Sequence, residues 1–360
     1  MISTTQHNQS PCQFRAIGVM SGTSLDGLDI CLAQFNFDKQ WKYTILNAQT
    51  VAYTNNFRES LKKAMSLTAE ELVKLDAFLG KWIGERINDF LKINNASADV
   101  IGSHGHTVFH NPSNGYSTQI GHGAHIASQT GIPCICDFRM GDVARGGQGA
   151  PLVPIGDELL FSDYDFCLNI GGIANISYNE KGKRVAYDIC PANMAINHVA
   201  NSLGHEMDEN GSIGRTGKVN QYLLGDINTL DYYRVTGAKS LGREWFDSNF
   251  LPILAKYNLK SEDTIRTLYE HISTKIAMAI SHKPNSNMLI SGGGAKNKFL
   301  VELLSSKCNA NIVTPTSELI DYKEALIFAF LAVLYLNKIP ASLSSVTGAS
   351  ESSIAGCMYY

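Results

Sequence analysis

Gly18-Val-Met-Ser-Gly-Thr-Ser-Leu-Asp-Gly-Leu-Asp29 is the stretch whose reading decides the fold of this chain. Residues 14–17 before it read as the end of an apolar strand, and residues 30–35 after it as the next strand. The stretch holds three glycines, three hydroxyls, two carboxylates and neither lysine nor arginine. Such a turn offers backbone N–H groups to an anion, because glycine allows the dihedrals and the close approach a phosphate needs. Its carboxylates can hold Mg²⁺ beside the phosphates. The same composition also suits a plain hairpin turn with no ligand. The rest of the chain must break the tie.

At 360 residues the chain is long enough for two domains, each with its own core. Its 44% hydrophobic and 18% charged residues suit an ordinary globular protein. A formal net charge of −3 gives no reason to expect nucleic acid or an anionic membrane as partner. No apolar run reaches the length of about 20 residues that spans a bilayer. The first fifteen residues are mostly polar and lack the basic and apolar regions of a signal peptide, so a cytoplasmic location is expected. None of the eight cysteines forms Cys-x-x-Cys knuckles, and most sit among apolar neighbours, which favours buried, reduced thiols.

Working outward, residues 43–53 read as a third strand and residues 57–95 as two helices. Leu72, Leu75, Phe78, Leu79, Ile83, Ile87, Phe90 and Leu91 recur at helical spacing and are expected in the core. Residues 99–110 read as a strand entering a polar loop, a second loop opens a helix ending at Thr130, and residues 131–137 read as a strand. A long polar loop, 138–154, follows with four glycines, Arg139, Asp142 and Arg145; loops so loaded are seldom mere connectors. The second half restarts the pattern with a strand, a Gly171-Gly172 turn and a strand over 164–177, then a strand at 184–189. This is a weak internal repeat in organisation. Helices are expected at 192–203, 208–224, 246–256, 261–282 and 322–336, with strands at 287–291 and 312–315. Interleaved strands and helices argue for an α/β fold with both sheet faces covered.

Three glycine turns follow strands, at 18–29, 169–177 and 291–297. None is a Walker-type loop, and none is a Gly-x-Gly-x-x-Gly with a helix directly behind it. What remains is a nucleotide held between two domains, with two β-turns bracketing its phosphates and the third lying against its adenosine.

The opening motif resembles that of the anhydro-N-acetylmuramic acid kinases, of the actin/Hsp70/sugar-kinase ATPase superfamily. The resemblance runs through Gly102-Ser-His-Gly-His-Thr-Val-Phe-His-Asn-Pro112, Asp137-Phe-Arg139, Gly146-Gly-Gln-Gly-Ala-Pro-Leu-Val-Pro154 and Asn169-Ile-Gly-Gly-Ile-Ala-Asn-Ile176. It continues through Lys239-Ser-Leu-Gly-Arg-Glu244, Ser291-Gly-Gly-Gly-Ala-Lys-Asn297, Lys323-Glu-Ala-Leu-Ile-Phe-Ala-Phe330 and Ser345-Val-Thr-Gly-Ala349. It implies a two-domain actin-like (ribonuclease H-like) α/β fold with an interdomain cleft for nucleotide and sugar. The expected division is residues 1–130 with a tail of about 345–360, against residues 131–344 carrying the catalytic Asp and the adenosine-side turn.

The resemblance also implies a reaction. ATP phosphorylates O6 of 1,6-anhydro-N-acetylmuramic acid while water opens the anhydro ring at C1, giving N-acetylmuramic acid 6-phosphate in cell-wall recycling. Such a reaction needs a general base for the water, and Mg²⁺ and fixed dipoles for the γ-phosphoryl group. Asp188 is expected as the base, because Asp188-Ile-Cys-Pro-Ala-Asn193 resembles the family's Asp-Thr-Gly-Pro-Gly/Ala-Asn; a helix cap is its other reading. Glu324 is the second catalytic candidate, or simply an acid near a helix N-terminus. Gly22, Thr23, Ser24, Leu25, Asp26, Gly27, Leu28 and Asp29 are expected at ATP, with Asp26 as a Mg²⁺ ligand. Asn169, Gly171, Gly172, Gly292, Gly293, Gly294 and Asn297 are expected there too. His104, His106, Thr107, His122, Arg139 and Asn193 are expected around the sugar. Arg139 and Arg145 suit an anion clamp, or ion pairs between elements.

The chain departs from the family's pattern at Asn197, where the family's following Asp is expected, and in four further places. His106 stands for a usual Gln, His122 for a usual Asp, and Ile189 and Cys190 for Thr and Gly. These motivate one rival, a same-fold kinase for another amino sugar. A second rival is a catalytically weak ATP-binding switch protein, against which the retained Asp188 and sugar loops argue. The histidine stretch from His104 to His125 invites zinc on His104, His106 and His110, but none of these three lies on an expected helix and zinc is the lesser reading. A homodimer is expected from the resemblance alone.

Overall fold

A computed structural model describes residues 12–22, 25–235, 237 and 239–360. The chain forms two compact units, Met1–Leu160 with Tyr322–Tyr360, and Phe161–Asp321. These limits differ from the expected 130/131 and 344/345 for a physical reason. The strand Cys134–Cys136 hydrogen-bonds inside the first sheet, and the helix Ser317–Leu336 packs on that sheet from residue 322 onward.

In the first unit, β1 (Cys12–Ser21), β2 (Gly27–Asp38) and β3 (Gln40–Ala52) form an antiparallel meander. β4 (Val100–Asn111) runs parallel to β1, β5 (Tyr116–Ile120) folds back on β4, and β6 (Cys134–Cys136) runs parallel to β4. The helix Ala69–Ile93 starts at a capping box between Thr68 and Glu71 and buries Leu75, Leu79, Ile83, Ile87 and Phe90. Phe78, expected in the core, is instead 54% exposed, with its ring edge-on to Phe57 at the rim.

The second unit repeats the plan. β7 (Phe166–Ile170), β8 (Ile173–Glu180) and β9 (Lys183–Pro191) are an antiparallel meander, β10 (Ser286–Ser291) is parallel to β7, and β11 (Ala310–Val313) is parallel to β10. The order β11-β10-β7-β8-β9 thus matches β6-β4-β1-β2-β3 strand for strand. β12 (Cys357–Tyr359) then adds to the first sheet beside β6. The core of the second unit gathers around the helix Ser261–Ile280.

The expected helix over 208–224 is replaced by turns at Glu209–Gly211 and Gly214–Thr216 and a helix at Gln221–Asn228. Asn210 and Gly211 have φ of 53° and 72°, which an α-helix cannot hold. The helix expected over 246–256 starts at Arg243 and passes through a π-turn at Phe246–Phe250. The last helix starts at Ser317, not at residue 322. All eight cysteines are free thiols; five are buried, Cys12 and Cys136 are half-buried and Cys357 is exposed. Among the described residues no helix is long and apolar enough to cross a membrane.

The helix Ser317–Leu336 explains two glycines of the opening motifs. A Cβ on Gly18 would lie 1.7 Å from the Ala325 carbonyl oxygen, and one on Gly102 would lie 2.0 Å from that of Phe328. Gly18 is therefore not part of an anion turn. It lies within β1 and lets the helix backbone settle on the sheet.

Candidate functional site

In the first unit the turn itself is Gly22 to Asp26, between β1 and β2. Thr23 and Ser24 lie outside the described residues. The Leu25 N–H meets the Gly22 carbonyl at 3.3 Å, with Leu25 at φ 58°, and the Leu25 carbonyl accepts from Arg58 Nε at 3.0 Å. Asp26 is exposed. Gly27 is walled by β3, where a Cβ would meet the Val51 oxygen at 2.6 Å, and Leu28 is a core residue. These two shape the turn from behind. Asp29 Oδ1 accepts from Thr50 Oγ1 at 2.6 Å, and Tyr322 Oη stands 3.4 Å from that hydroxyl. Asp26 and Asp29 are the two carboxylates of this stretch that could hold a Mg²⁺.

Gly105, at φ 70°, takes up a register shift between β4 and β1 that sets His104 and His106 at different partners. His104 Nε2 accepts from Arg139 Nε at 3.1 Å and Nη2 at 2.8 Å, which leaves Nδ1 to donate to the Gly105 carbonyl at 3.0 Å. Burial, with the Arg139 charge beside it, holds this imidazole neutral, well below the usual histidine range. His106 Nδ1 lies 3.2 Å from Ser21 Oγ, which also takes the Tyr53 hydroxyl at 2.7 Å. Thr107 Oγ1 accepts from Gln119 Nε2 at 3.3 Å. His122 is the N-cap of the helix Gly123–Thr130, with Nδ1 accepting from the Ala124 N–H at 3.2 Å. An Asp would cap equally well.

Arg139 is half-buried, and desolvation lowers its pKa to about 10, with Glu324 opposing the shift. Glu324 is exposed, yet the protein around it raises its carboxyl pKa. Desolvation is the main cause there; Arg139 and Lys323 pull the value down and Asp29 pushes it up. Arg145, the other clamp candidate, instead pairs with exposed Glu351 at 3.2 Å and donates to the Gly141 carbonyl. Among the described residues no three His, Cys, Asp or Glu side chains stand together as metal ligands. Arg139 occupies the His104 nitrogen that zinc would need.

In the second unit, Asn169, the Gly171-Gly172 turn, Asn193 and Gly292–Gly294 converge. Gly292 has φ 77°, and a Cβ there would lie 2.6 Å from Asn169 Oδ1, so only glycine fits. A Cβ on Gly294 would strike Ile170 at 2.3 Å. Gly293 faces open space, with Asn193 Nδ2 the nearest atom at 3.9 Å. The Ala192 and Asn193 N–H groups bond the Gly172 and Gly171 carbonyls at 2.8 and 3.1 Å, clasping the turn to the helix Asn193–Ser202. Asn297 has a different task. Its Oδ1 caps the helix Lys298–Lys307 and its Nδ2 donates to the Tyr269 hydroxyl at 2.7 Å and the Asp208 carbonyl at 3.3 Å.

Asp188 sits on β9 at a bulge. Asn175 pairs with Asp188 while Ala174 pairs with Cys190, so Ile189 is the extra residue. Ile189 and Cys190 both point into the core. The Asp188 carboxylate is held by one oxygen, Oδ2, which accepts from the Leu241 N–H at 2.7 Å and Ser240 Oγ at 3.2 Å. Oδ1 has no hydrogen-bond partner among the described residues. Desolvation raises the Asp188 pKa, with the Leu241 and Ser240 bonds opposing. Its backbone is fixed by the Lys239 carbonyl and the Tyr232 hydroxyl, at 3.0 and 2.7 Å. Lys239 Nζ in turn donates to the Tyr232 and Val235 carbonyls. Ser240, Leu241 and Tyr232 were not among the sequence candidates; the shared Lys239–Glu244 motif was the signal for the first two, and Tyr232 lies outside it.

A protein-family model described as anhydro-N-acetylmuramic acid kinase matches residues 14–360. The chain belongs to that family. Proteins with that name in Hydrogenovibrio crunogenus and Shewanella denitrificans are 33% and 36% identical to it, over 96% and 95% of this chain and 97% of each relative. A third, from Pseudomonas syringae pv. syringae, is 35% identical over 96% of this chain and 99% of that one. Membership makes this an enzyme of a kinase family built on a mixed α/β fold with two sheets.

Proposed function

We propose that the chain uses ATP to phosphorylate O6 of 1,6-anhydro-N-acetylmuramic acid while water adds at C1 and opens the anhydro ring. The product is N-acetylmuramic acid 6-phosphate. The observation that carries this reading is the Asp188 carboxylate, gripped at Oδ2, without a partner at Oδ1 among the described residues and raised in pKa. A carboxylate in that state is a fitting general base for water, since its proton affinity is increased while its geometry stays fixed.

The other roles follow the chemistry of the groups. The backbone amides of the turn after β1 and the open glycines Gly171, Gly172 and Gly293 face ATP, with Gly292, Gly294 and Asn297 keeping that turn in shape. Asp26, with Asp29 three residues on, would hold a Mg²⁺, which would supply positive charge to the phosphates. Arg139 offers two N–H bonds, one on each terminal nitrogen, as a fork for a carboxylate. Glu324, His104, His106, Thr107 and Asn193 belong to the sugar side in this reading. The actin-like ATPase fold is supported by the repeated strand order. A homodimer and a cytoplasmic location complete the proposal, and light scattering on the purified protein tests the first.

The rival of a different amino sugar is weakened by the places of the departures. Ile189 and Cys190 are core residues and His122 is a helix cap, which leaves His106 alone as a substrate-facing change. The deciding experiment is an ATP-coupled assay with purified anhydro-N-acetylmuramic acid. Absence of turnover by the wild-type chain overturns the reading, whereas turnover surviving in Asp188→Asn overturns only the choice of base.

A further inference from the structure

The loop that carries Arg139 is built around a buried carboxylate. Asp142 is fully buried, and no cation pairs with it among the described residues. A buried carboxylate in that state persists only if hydrogen bonds replace its water. Two donors do so: the Gly149 N–H reaches Oδ2 at 2.8 Å and the Thr347 hydroxyl reaches Oδ1 at 2.7 Å. The Asp142 carbonyl accepts from the Arg145 and Gly147 N–H groups, each at 3.0 Å. Gly147 passes so close that a Cβ there would lie 2.2 Å from Oδ2. The loop is wrapped on this side chain.

Gly149 links the carboxylate to the guanidinium. Its N–H is held by Asp142, and its carbonyl accepts from Arg139 Nη1 at 2.7 Å. The opposite edge of Arg139 is fixed by His104 Nε2. Nε, Nη1 and Nη2 each spend one hydrogen on these bonds, so each terminal nitrogen keeps one N–H, the pair of donors that a carboxylate takes in bidentate fashion.

We propose that Asp142, through Gly149, is the positioning residue that aims Arg139 at the carboxylate of the sugar's lactyl group, and that Thr347 steadies it. This rests on the reading of Arg139 as an anion clamp. The position of the Gly149 carbonyl then sets the direction of the fork, and the Asp142–Thr347 bond sets the position of Gly149.

The test compares two substrates in the full-length enzyme: anhydro-N-acetylmuramic acid, and the same anhydro amino sugar without the lactyl ether. Asp142→Asn turns one acceptor oxygen into a donor. It should raise KM for the lactyl-bearing sugar by about 10- to 100-fold, the scale of an ångström-level misplacement. KM for ATP and the kinetics of the sugar without the lactyl group should stay within about two-fold. Thr347→Val should act in the same direction and more weakly, with Thr347→Ser restoring the wild-type values. It decides the matter should Asp142→Asn fail to fold. Equal losses on both sugars, or in KM for ATP, overturn the proposal in favour of a purely structural role. Unchanged discrimination in Asp142→Asn and Thr347→Val, beside lost discrimination in Arg139→Lys, overturns the positioning role alone. Wild-type discrimination in Arg139→Lys overturns the clamp reading and the proposal with it.

Discussion

The turn after β1 and the turn after β7 occupy equivalent places in two sheets of one plan, yet they are built on different principles. The first is a five-residue connection with Asp26 exposed and Asp29 close behind. The second is two glycines pinned by Ala192 and Asn193 from a helix and backed by Gly292 and Gly294. The strand plan fixes where a turn can face a phosphate, and the local residues decide whether it brings carboxylates or bare amides. The same contrast extends to the carboxylates themselves. Desolvation raises the pKa of both, but the opposing pull comes from the Arg139 and Lys323 charges at Glu324 in the first unit and from neutral donors at Asp188 in the second.

The hardest way to break this contrast is Asp188→Asn. It keeps the shape and one acceptor but removes the proposed base, and kcat should fall by about 10²- to 10⁴-fold. The fall should come without loss of folding by circular dichroism. An Asn enzyme with more than a tenth of wild-type kcat contradicts the base assignment.

The pH profile sharpens the comparison. The base works only when ionised, and desolvation raises the Asp188 pKa. kcat/KM should therefore drop on the acid side at a higher pH than an ordinary aspartate would give. Ser240→Ala removes a donor that favours the charged form, which raises the pKa further and moves the acid limb to higher pH. A limb that stays put, or moves to lower pH, shows that the titration belongs to another group.

Gly18→Ala probes the first sheet away from the chemistry. The new methyl would meet the Ala325 carbonyl oxygen at 1.7 Å, a backbone atom that cannot swing aside. Overpacking of this kind costs about 1–3 kcal/mol or more, to be measured by denaturant unfolding. Stability equal to wild type would show that the helix Ser317–Leu336 does not rest on β1 as described.

What the sequence revealed and what it hid follow from range. Strand–turn–strand patterns at 14–35 and 164–177 were legible because alternation and glycine act over a few residues. The grip on Asp188 was not, because its main donor is the backbone N–H of Leu241, and any residue but proline carries one. Gly18 was read with the turn it precedes, since nothing in the neighbouring letters announces a helix that lies 307 residues later, at Ala325. Asn297 reads in the sequence as a residue at ATP, and its work as the cap bonded to Leu300, Tyr269 and Asp208 was hidden because caps and ligands use the same amide. The limits of the compact units differ from the expected ones for the same reason, being set by β6 and the helix Ser317–Leu336, which join the first unit from far along the chain.

His122 gives the smallest effect and the cleanest test of a departure from the family. Its Nδ1 caps the helix Gly123–Thr130, and its ring lies 5.0 Å from that of Tyr359 on β12. His122→Ala removes the cap and should cost about 1 kcal/mol of stability. His122→Asp restores an acceptor at the same place and should recover most of that loss, leaving only the contact with Tyr359 unpaid. If His122 is a cap and nothing more, KM for the sugar should be the same in wild type and His122→Asp. A shift in sugar KM with stability unchanged would instead return His122 to the substrate side, and with it the rival of a different amino sugar.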